Sequence, residues 1–341
     1  VTPNIALLPK LKELGYDIHY IGSYNGIEKE LIEPFGIPYY GISSGKLRRY
    51  FSWQNFTDPF RVIKGFGEAR KLIKSLKPDV IFSKGGFVSV PVVLAGKRCK
   101  VPVIIHESDM TPGLANKLAI PSAVKVCCNF PETLDALPEG KAVLTGSPIR
   151  QELLTGDKDA ARKMCGFTDE KPVILVIGGS LGAVAVNEAV RATLPELLKQ
   201  FQIIHLCGKG KVDDSLKEIK GYCQFEYIKN ELRDLFALAD VVISRAGANA
   251  ICELLALRKP NLLIPLSARA SRGDQILNAH SFERQGFSLV IEEEQLTNAT
   301  LLDAVHNLYE NREQFINAMH NSGQQDPIAT IIGLIEEAAT K

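Results

Sequence analysis

Residues 173–190 read VILVIGGSLGAVAVNEAV, and their pattern decides the fold. An unbroken apolar run ends at a glycine pair, and a helix-forming stretch follows. This is how a parallel strand buried on both faces feeds a helix through a tight turn. At such a turn the first helical N–H groups lack intrahelical partners and the helix dipole favours negative charge, so a phosphate is at home there. Ser180 faces outward between Gly179 and Gly182. A dinucleotide fingerprint has the spacing GxGxxG and an acidic residue about 20 positions on. Here the spacing is GGxxG, and the next strand ends His205-Leu206-Cys207-Gly208 without a carboxylate. A nucleotide diphosphate fits better than NAD. Glycines that only permit close strand–helix packing are the alternative.

Outward from this turn, short apolar runs alternate with helical stretches: DIHYIG, DVIFSKGG, VPVIIHE and KAVLTGS before it, then QIIHLCG, DVVISRAG, PNLLIPL and FSLVIEE after it. Such alternation predicts an α/β fold with parallel sheets covered on both faces. The turn GSPIR at 146–150 and the charged, poorly periodic stretch behind it mark a break. The expected architecture is two doubly wound, Rossmann-like domains facing a cleft: residues 1–149, residues 150–325, and a last helix, 326–341, packing back toward the first domain. The chain opens VTPNIALLPKLKELGYDIHYIGS, beginning where a helix begins, with Thr2 and Pro3 suited to an N-cap and first turn and Gly15 to the stop.

Composition sets limits. A length of 341 residues suits two domains, and 45% apolar with 23% charged residues is ordinary for a globular chain. A net charge of +1 offers no global field for nucleic acid, so none is expected as a partner. The seven cysteines are odd in number and lack CxxC spacing, which disfavours a disulfide framework and a zinc site and fits a reducing compartment. No apolar run reaches the length of a membrane span.

Two further strand-end loops follow the first. In DVVISRAGANAICELLALRKP (240–260) the turn holding Ala246 and Gly247 opens a helix that carries Glu253 about one turn in. A carboxylate there can accept hydrogen bonds from both hydroxyls of a ribose, or can be a solvated helix residue. In IPLSARASRGDQILNAHSFERQG (264–286), Asp274 suits an N-cap, and the Gln275 amide suits sugar hydroxyls. In the first half, GGFVSVP places Gly85, Gly86 and Ser89 before a helix, where a pyrophosphate can approach backbone N–H groups, and HESDMTPG ends a strand with His106 and Glu107. His106 is either a satisfied structural histidine or a base.

Together GSPIR, GGSLGA, SRAGANAICE and GDQILNA, with GGFVSVP and HESDMTPGLANK in the first half, resemble the peptidoglycan glycosyltransferases of the MurG type over nearly the whole chain. The resemblance implies the glycosyltransferase-B architecture. It also implies inverting transfer of N-acetylglucosamine from UDP-GlcNAc to the 4-hydroxyl of the MurNAc of lipid I, giving lipid II. By the same likeness Arg150 and Ser180 hold the diphosphate, Glu253 the ribose, Ile228 the uracil through its backbone, and Gln275 with Asp274 the sugar, with Gly179, Gly182, Ala246 and Gly247 also binding UDP-GlcNAc. Gly85, Gly86, Ser89 and Asp109 face the acceptor. The commoner family form HEQN is HESD here, so the amide contact at the position of Asp109 is replaced. The family's favoured base is a histidine ending a glycine-rich loop, expected immediately before Val1; His106 and Glu107 are the fallback, and a chain without that loop is expected to bind donor without turnover.

No obligatory cofactor or metal is implied, since Arg150, Ser180 and two helix N-termini can take the charge of the leaving diphosphate. The stretch GKLRRYFSWQNFTDPFRVIKGFGEARKLIK (45–74) interleaves Tyr50, Phe51, Trp53 and Phe56 with cations, which suits an anionic bilayer interface, although half of these aromatics can equally be core. The resemblance thus implies a peripheral enzyme on the cytoplasmic face of the bacterial cell membrane, with cell-wall synthesis and division proteins as partners. A UDP-GlcNAc 2-epimerase, another lipid glycosyltransferase of this fold, or a UDP-sugar-binding module are the competing readings.

Overall fold

The computed structural model describes residues 1–45, 54–168, 171–179, 182–323 and 325–340, with the backbone alone for 54–59. The chain forms two compact units. One runs from Val1 to Pro148 and includes the C-terminal helix; the other is Ile149–Gly323.

In the first unit β1 (Tyr20–Ser23) pairs in parallel with β2 (Tyr39–Ile42). A second parallel sheet has the order β3-β4-β5-β6, formed by Ile81–Ser83, Val103–Glu107, Lys125–Cys128 and Ala142–Leu144. Every residue of β4 is buried, because both faces are covered. Val103 and Ile105 join Val93 and Ala119 on one side, and between them Ile104 points to the other. That other face is closed by Leu7 of the opening helix, Thr2–Glu13, and by Ile328, Ile331, Ile332 and Ile335 of the last helix, Pro327–Ala339. The isoleucines recur at helical spacing, and burying each contributes about 1.5–3 kcal/mol. Asp326 caps this helix, its carboxylate accepting from Ile328 N at 2.9 Å. In the opening helix the cap position belongs to Val1 rather than Thr2, and Gly15, at φ 80°, stops it.

The second unit holds six parallel strands: β7 (Val173–Ile177), β8 (Gln202–Leu206), β9 (Tyr222–Phe225), β10 (Val241–Ser244), β11 (Asn261–Leu263) and β12 (Ser288–Val290), ordered β12-β11-β10-β7-β8-β9. This is the doubly wound order in which the winding reverses between the first and fourth strands, β7 and β10. Ile174 and Val176 pack on Val186, Val190, Leu194 and Leu197 of the helix Val184–Leu197 and near Leu301, Val305 and Leu308 of Asn298–Glu310.

Three strands escape the apolar-run reading. β2 (YYGI), β5 (KVCC) and β9 (YCQF) are each four residues long and carry polar, glycine or cysteine positions. The stretch after GSPIR, read as a poorly periodic break, contains a helix, Lys158–Met164, whose cap Asp157 accepts from Asp159 N and Ala160 N.

Candidate active site

In an open α/β sheet the crevice beyond the carboxyl ends of the strands at the reversal point is where ligands bind. In the second unit those strands are β7 and β10, so the turns that follow them share one edge of the sheet. The glycines of the first turn have distinct causes. A β-carbon at Gly182 would collide with the Cys207 carbonyl, and one at Gly178 would sit 2.6 Å from Ala183 N, so both are fixed by close approach. Gly179 has open space around it but a φ of 85° that only glycine adopts readily. Ser180, the residue between them assigned to the diphosphate, lies outside the described residues. Gly247 has neither cause: its φ is −66° and nothing lies within 4 Å of where a β-carbon would stand, so a larger residue would only fill the space before the helix Ala248–Ala256.

Glu253 is not a solvated helix residue. Its side chain is 15% exposed, and burial raises its pKa, with the Arg150 guanidinium opposing the rise. Arg150 Nη2 stands 3.8 Å from Glu253 Oε1 and Nη1 stands 3.7 Å from Glu152 Oε1. Among the described residues the buried Arg150 Nε has no hydrogen-bond partner. A cation held this loosely by its carboxylates retains donors for an anionic ligand.

At the third loop Gly273, at φ 80°, is the helix cap, and Asp274 is the first helical residue, paired with Arg272 Nε at 2.5 Å. The capping role expected for Asp274 is therefore filled by a backbone conformation instead. Gln275 Oε1 accepts from Leu266 N at 3.0 Å, which fixes the amide and leaves its NH₂ end as the part that can serve a hydroxyl. Ile228, three residues past β9, is buried.

Sequence reading missed the groups that brace these loops. Arg245 donates to the Ile264 and Pro265 carbonyls at 3.0 and 3.1 Å and pairs with Glu293. Asn278 Nδ2 reaches the Ala246 carbonyl at 3.3 Å. Beneath the first turn, buried His205 lies between Tyr222 Oη at 2.8 Å and Asn187 Oδ1 at 2.9 Å, and Asn187 Nδ2 donates at 2.8 Å to the Cys207 carbonyl that abuts Gly182. Burial, helped by Arg191, drives the His205 pKa down to about 3. The signal for His205 and Arg245 is a polar residue within or at the end of an otherwise apolar strand; Asn187 and Asn278 lie on the helices that follow the turns, as buried polar residues.

In the first unit Gly85 and Gly86, at φ 84° and 85°, form the turn before the helix Ser89–Arg98, and Ser89 Oγ closes it on the Gly86 carbonyl at 2.7 Å. His106 is fully buried. Its Nε2 faces the Gly146 carbonyl at 2.8 Å and must carry the proton, so Nδ1 is the lone pair that accepts from Lys84 Nζ at 2.7 Å. Burial first, and Lys84 second, push its pKa well below the ordinary histidine value. Glu107, also buried, accepts from Ser108 N, Asp109 N, Gly113 N and Asn116 Nδ2 at 2.8–3.1 Å. Of the two fallback bases, Glu107 is thus occupied in holding the loop 108–113 and His106 in bonds to Gly146 and Lys84. The Asp109 position is fixed through its backbone N–H.

Of the aromatic–basic stretch, Tyr50, Phe51 and Trp53 lie outside the described residues, and Phe56 is placed by its backbone alone in the helix Gln54–Leu76. Further along that helix Phe66 packs against the Ile42 and Ile73 cluster, whereas Phe60 and Ile63 are 74% and 67% exposed. Among the described residues no helix is long and apolar enough to cross a membrane.

Two α/β units, one a doubly wound sheet with glycine turns and a buried carboxylate–guanidinium pair at its reversal point, define a nucleotide-sugar glycosyltransferase of the glycosyltransferase-B architecture. The glycosyltransferase family 28 N-terminal domain matches residues 1–128 and the family 28 C-terminal domain matches residues 173–332. The chain belongs to glycosyltransferase family 28. It is 68% identical, over all of its 341 residues and 96% of the relative, to the UDP-N-acetylglucosamine–N-acetylmuramyl-(pentapeptide) pyrophosphoryl-undecaprenol N-acetylglucosamine transferase of Lachnoclostridium phytofermentans. It is 59% identical over 340 residues, 100% of this chain and 95% of the relative, to the enzyme of the same name from Clostridium tetani. The crystal structure of Acinetobacter baumannii MurG superimposes with a TM-score of 0.75 at 25% identity, covering 98% of this chain and 95% of that one. A UDP-GlcNAc 2-epimerase from Methanocaldococcus jannaschii has a TM-score of 0.68 at 14% identity over 98% of this chain and 96% of that one, a likeness of fold alone.

Proposed function

We propose that this chain transfers N-acetylglucosamine from UDP-GlcNAc to the MurNAc 4-hydroxyl of lipid I, with inversion at the anomeric carbon, and so forms lipid II. The observation that carries the donor assignment is the buried Arg150–Glu253 pair on the unit whose reversal-point turns hold Gly179, Gly182 and Gly247. Glu253 accepts from the ribose hydroxyls, Arg150 donates to the diphosphate, and the N–H groups behind Gly182 and Gly247 share the charge that develops as UDP leaves. Ser180 joins them, Ala246 carries the second turn, the Ile228 backbone meets the uracil, and the NH₂ of Gln275, with Asp274 beside it, meets the sugar.

The first unit receives the acceptor. The N–H groups behind Gly85 and Gly86 and the Ser89 hydroxyl suit its pyrophosphate, and Asp109 lines the neighbouring loop. His106 and Glu107 shape that loop, and deprotonation of the acceptor hydroxyl falls to another group. The enzyme works peripherally on the cytoplasmic membrane face, where Tyr50, Phe51, Trp53, Phe56 and exposed Phe60 meet the bilayer beside lysines and arginines. Cell-wall synthesis and division proteins are its protein partners.

The test is transfer of radiolabelled N-acetylglucosamine to a lipid I analogue with UDP-GlcNAc or UDP-glucose as donor. Strong preference for UDP-GlcNAc and loss of transfer in Glu253→Gln are expected; equal use of the two donors, or full activity of Glu253→Gln, overturns the assignment.

A further inference from the structure

Strand β12 is followed by three consecutive glutamates, Glu292, Glu293 and Glu294. A run of like charges at a strand end is ordinarily a solvated face. Here each carboxylate reaches a different segment. Glu292 lies 3.1 Å from His280 Nε2, on the helix Asp274–Arg284 that carries Gln275. Glu293 pairs with Arg245, which opens the turn after β10 and also grips the Ile264 and Pro265 carbonyls. Glu294 accepts from the Ser267 hydroxyl in the loop after β11. Ser267 in turn organises that loop: its hydroxyl accepts from Arg269 N at 3.2 Å and its carbonyl from Ser271 Oγ at 3.0 Å. The same loop anchors Gln275, through Leu266 N.

The segment itself is rigidly placed. Ile291 N donates to the Leu263 carbonyl at 3.0 Å, extending the β11–β12 ladder into Glu292 and the short 3₁₀ turn Glu293–Gln295. This one segment therefore joins the turn after β10, the loop after β11 and the helix Asp274–Arg284. The two contacts differ in what they hold. Arg245 opens the turn of Ala246 and Gly247, at the diphosphate end, and ties it to the Ile264 and Pro265 carbonyls, whereas Ser267 supports only the loop that fixes the Gln275 amide, at the sugar end.

We propose that Glu293 and Glu294 are positioning residues for the donor, Glu293 acting on the diphosphate and Glu294 on the hexosamine, a division that rests on the donor site assigned above. Neither carboxylate touches the donor. Glu294 gives the enzyme part of its discrimination between UDP-GlcNAc and UDP alone, because it holds the loop that meets the sugar and nothing that meets the uridine or phosphates.

Calorimetric titration of the full chain with UDP and with UDP-GlcNAc tests this, together with kcat and KM. Loss of a single side-chain hydrogen bond that orders the loop should weaken UDP-GlcNAc binding about tenfold in Glu294→Ala and equally in Ser267→Ala, with UDP affinity within about twofold of the parent. The double variant Glu294→Ala/Ser267→Ala should be no weaker than either single one. Glu293→Gln should weaken both ligands together. Equal loss of UDP and UDP-GlcNAc in Glu294→Ala, additive effects in the double variant, or unchanged binding in both singles overturns the proposal. Should Glu293→Gln fail to fold, the Glu294 and Ser267 variants alone decide it. A parent enzyme that does not prefer UDP-GlcNAc over UDP-glucose refutes the donor site itself, which is a different result from variants that bind as the parent does.

Discussion

Each unit buries a histidine in a central strand near its binding edge, His106 on β4 and His205 on β8, and the surroundings differ. His106 is clasped between a carbonyl and the Lys84 ammonium, and the loop beside it gives the Ser108, Asp109 and Gly113 N–H groups to the one carboxylate of Glu107, while Lys84, Asn129 and Thr133 hold Ser108 Oγ and the Ser108 and Met110 carbonyls. His205 is clasped between a phenol and an amide, and the glycine turn above it rests on that amide through the Cys207 carbonyl. The first unit thus ties several of its loop's N–H groups to one charged acceptor, whereas the Cys207 carbonyl that abuts Gly182 in the second is held by a neutral amide. Loss of that one acceptor strands several donors together; the glycine turn fails by geometry, when a neighbour is pushed aside.

The largest expected effect is Glu107→Gln. The new NH₂ faces N–H donors, two or more of which lose their acceptor, and unfolding by urea should show a loss of about 3 kcal/mol in the first unit. Next is Gly182→Ala, where the β-carbon meets the Cys207 carbonyl; a loss of about 2 kcal/mol with weakened UDP binding is expected. Gly247→Ala sharpens the same comparison. It should leave thermal unfolding unchanged while reducing donor affinity, because its glycine answers to open space and not to backbone geometry.

Acid tests both histidines. Each folded-state pKa lies below the unfolded value near 6.5, that of His205 at about 3. Below pH 6.5 the unfolded chain binds a proton that the folded chain refuses, so stability falls as pH drops, at about 1.4 kcal/mol per pH unit for each histidine. Urea midpoints measured from pH 7 to pH 5 should fall accordingly, and His205→Gln should flatten the slope of the second unit alone. The smallest effect is at His280, whose pKa is raised by hydrogen bonds to Glu283 and Glu292. Its contribution is present below pH 6.5 and lost as pH rises through the raised value, so His280→Asn should remove a small decline in stability that begins above pH 6.5.

The same contrast explains what could be read from sequence. A strand such as β7 was legible because burial on both faces demands an unbroken apolar run, while β9, reading YCQF at the sheet edge, did not meet that demand. Gly178, Gly179 and Gly182 were legible because conformation or close approach selects that residue alone. The partners were not: Arg245 and Glu293 stand 48 positions apart, and Lys84 and His106 stand 22 apart, so only the folded chain shows that they meet. Asp274 looked like a cap because its residue type favours caps, and a glycine conformation took that role instead.

The helix Pro327–Ala339 completes the core of the unit that contains Val1–Pro148. A ribosome delivers that helix only after the whole of Ile149–Gly323 has emerged. Domains generally fold in order of emergence. Until that helix arrives the apolar face of Ile104 and Cys127 has the opening helix over it but lacks Ile328, Ile331, Ile332 and Ile335, so the nascent first unit is the one that holding chaperones have reason to shield.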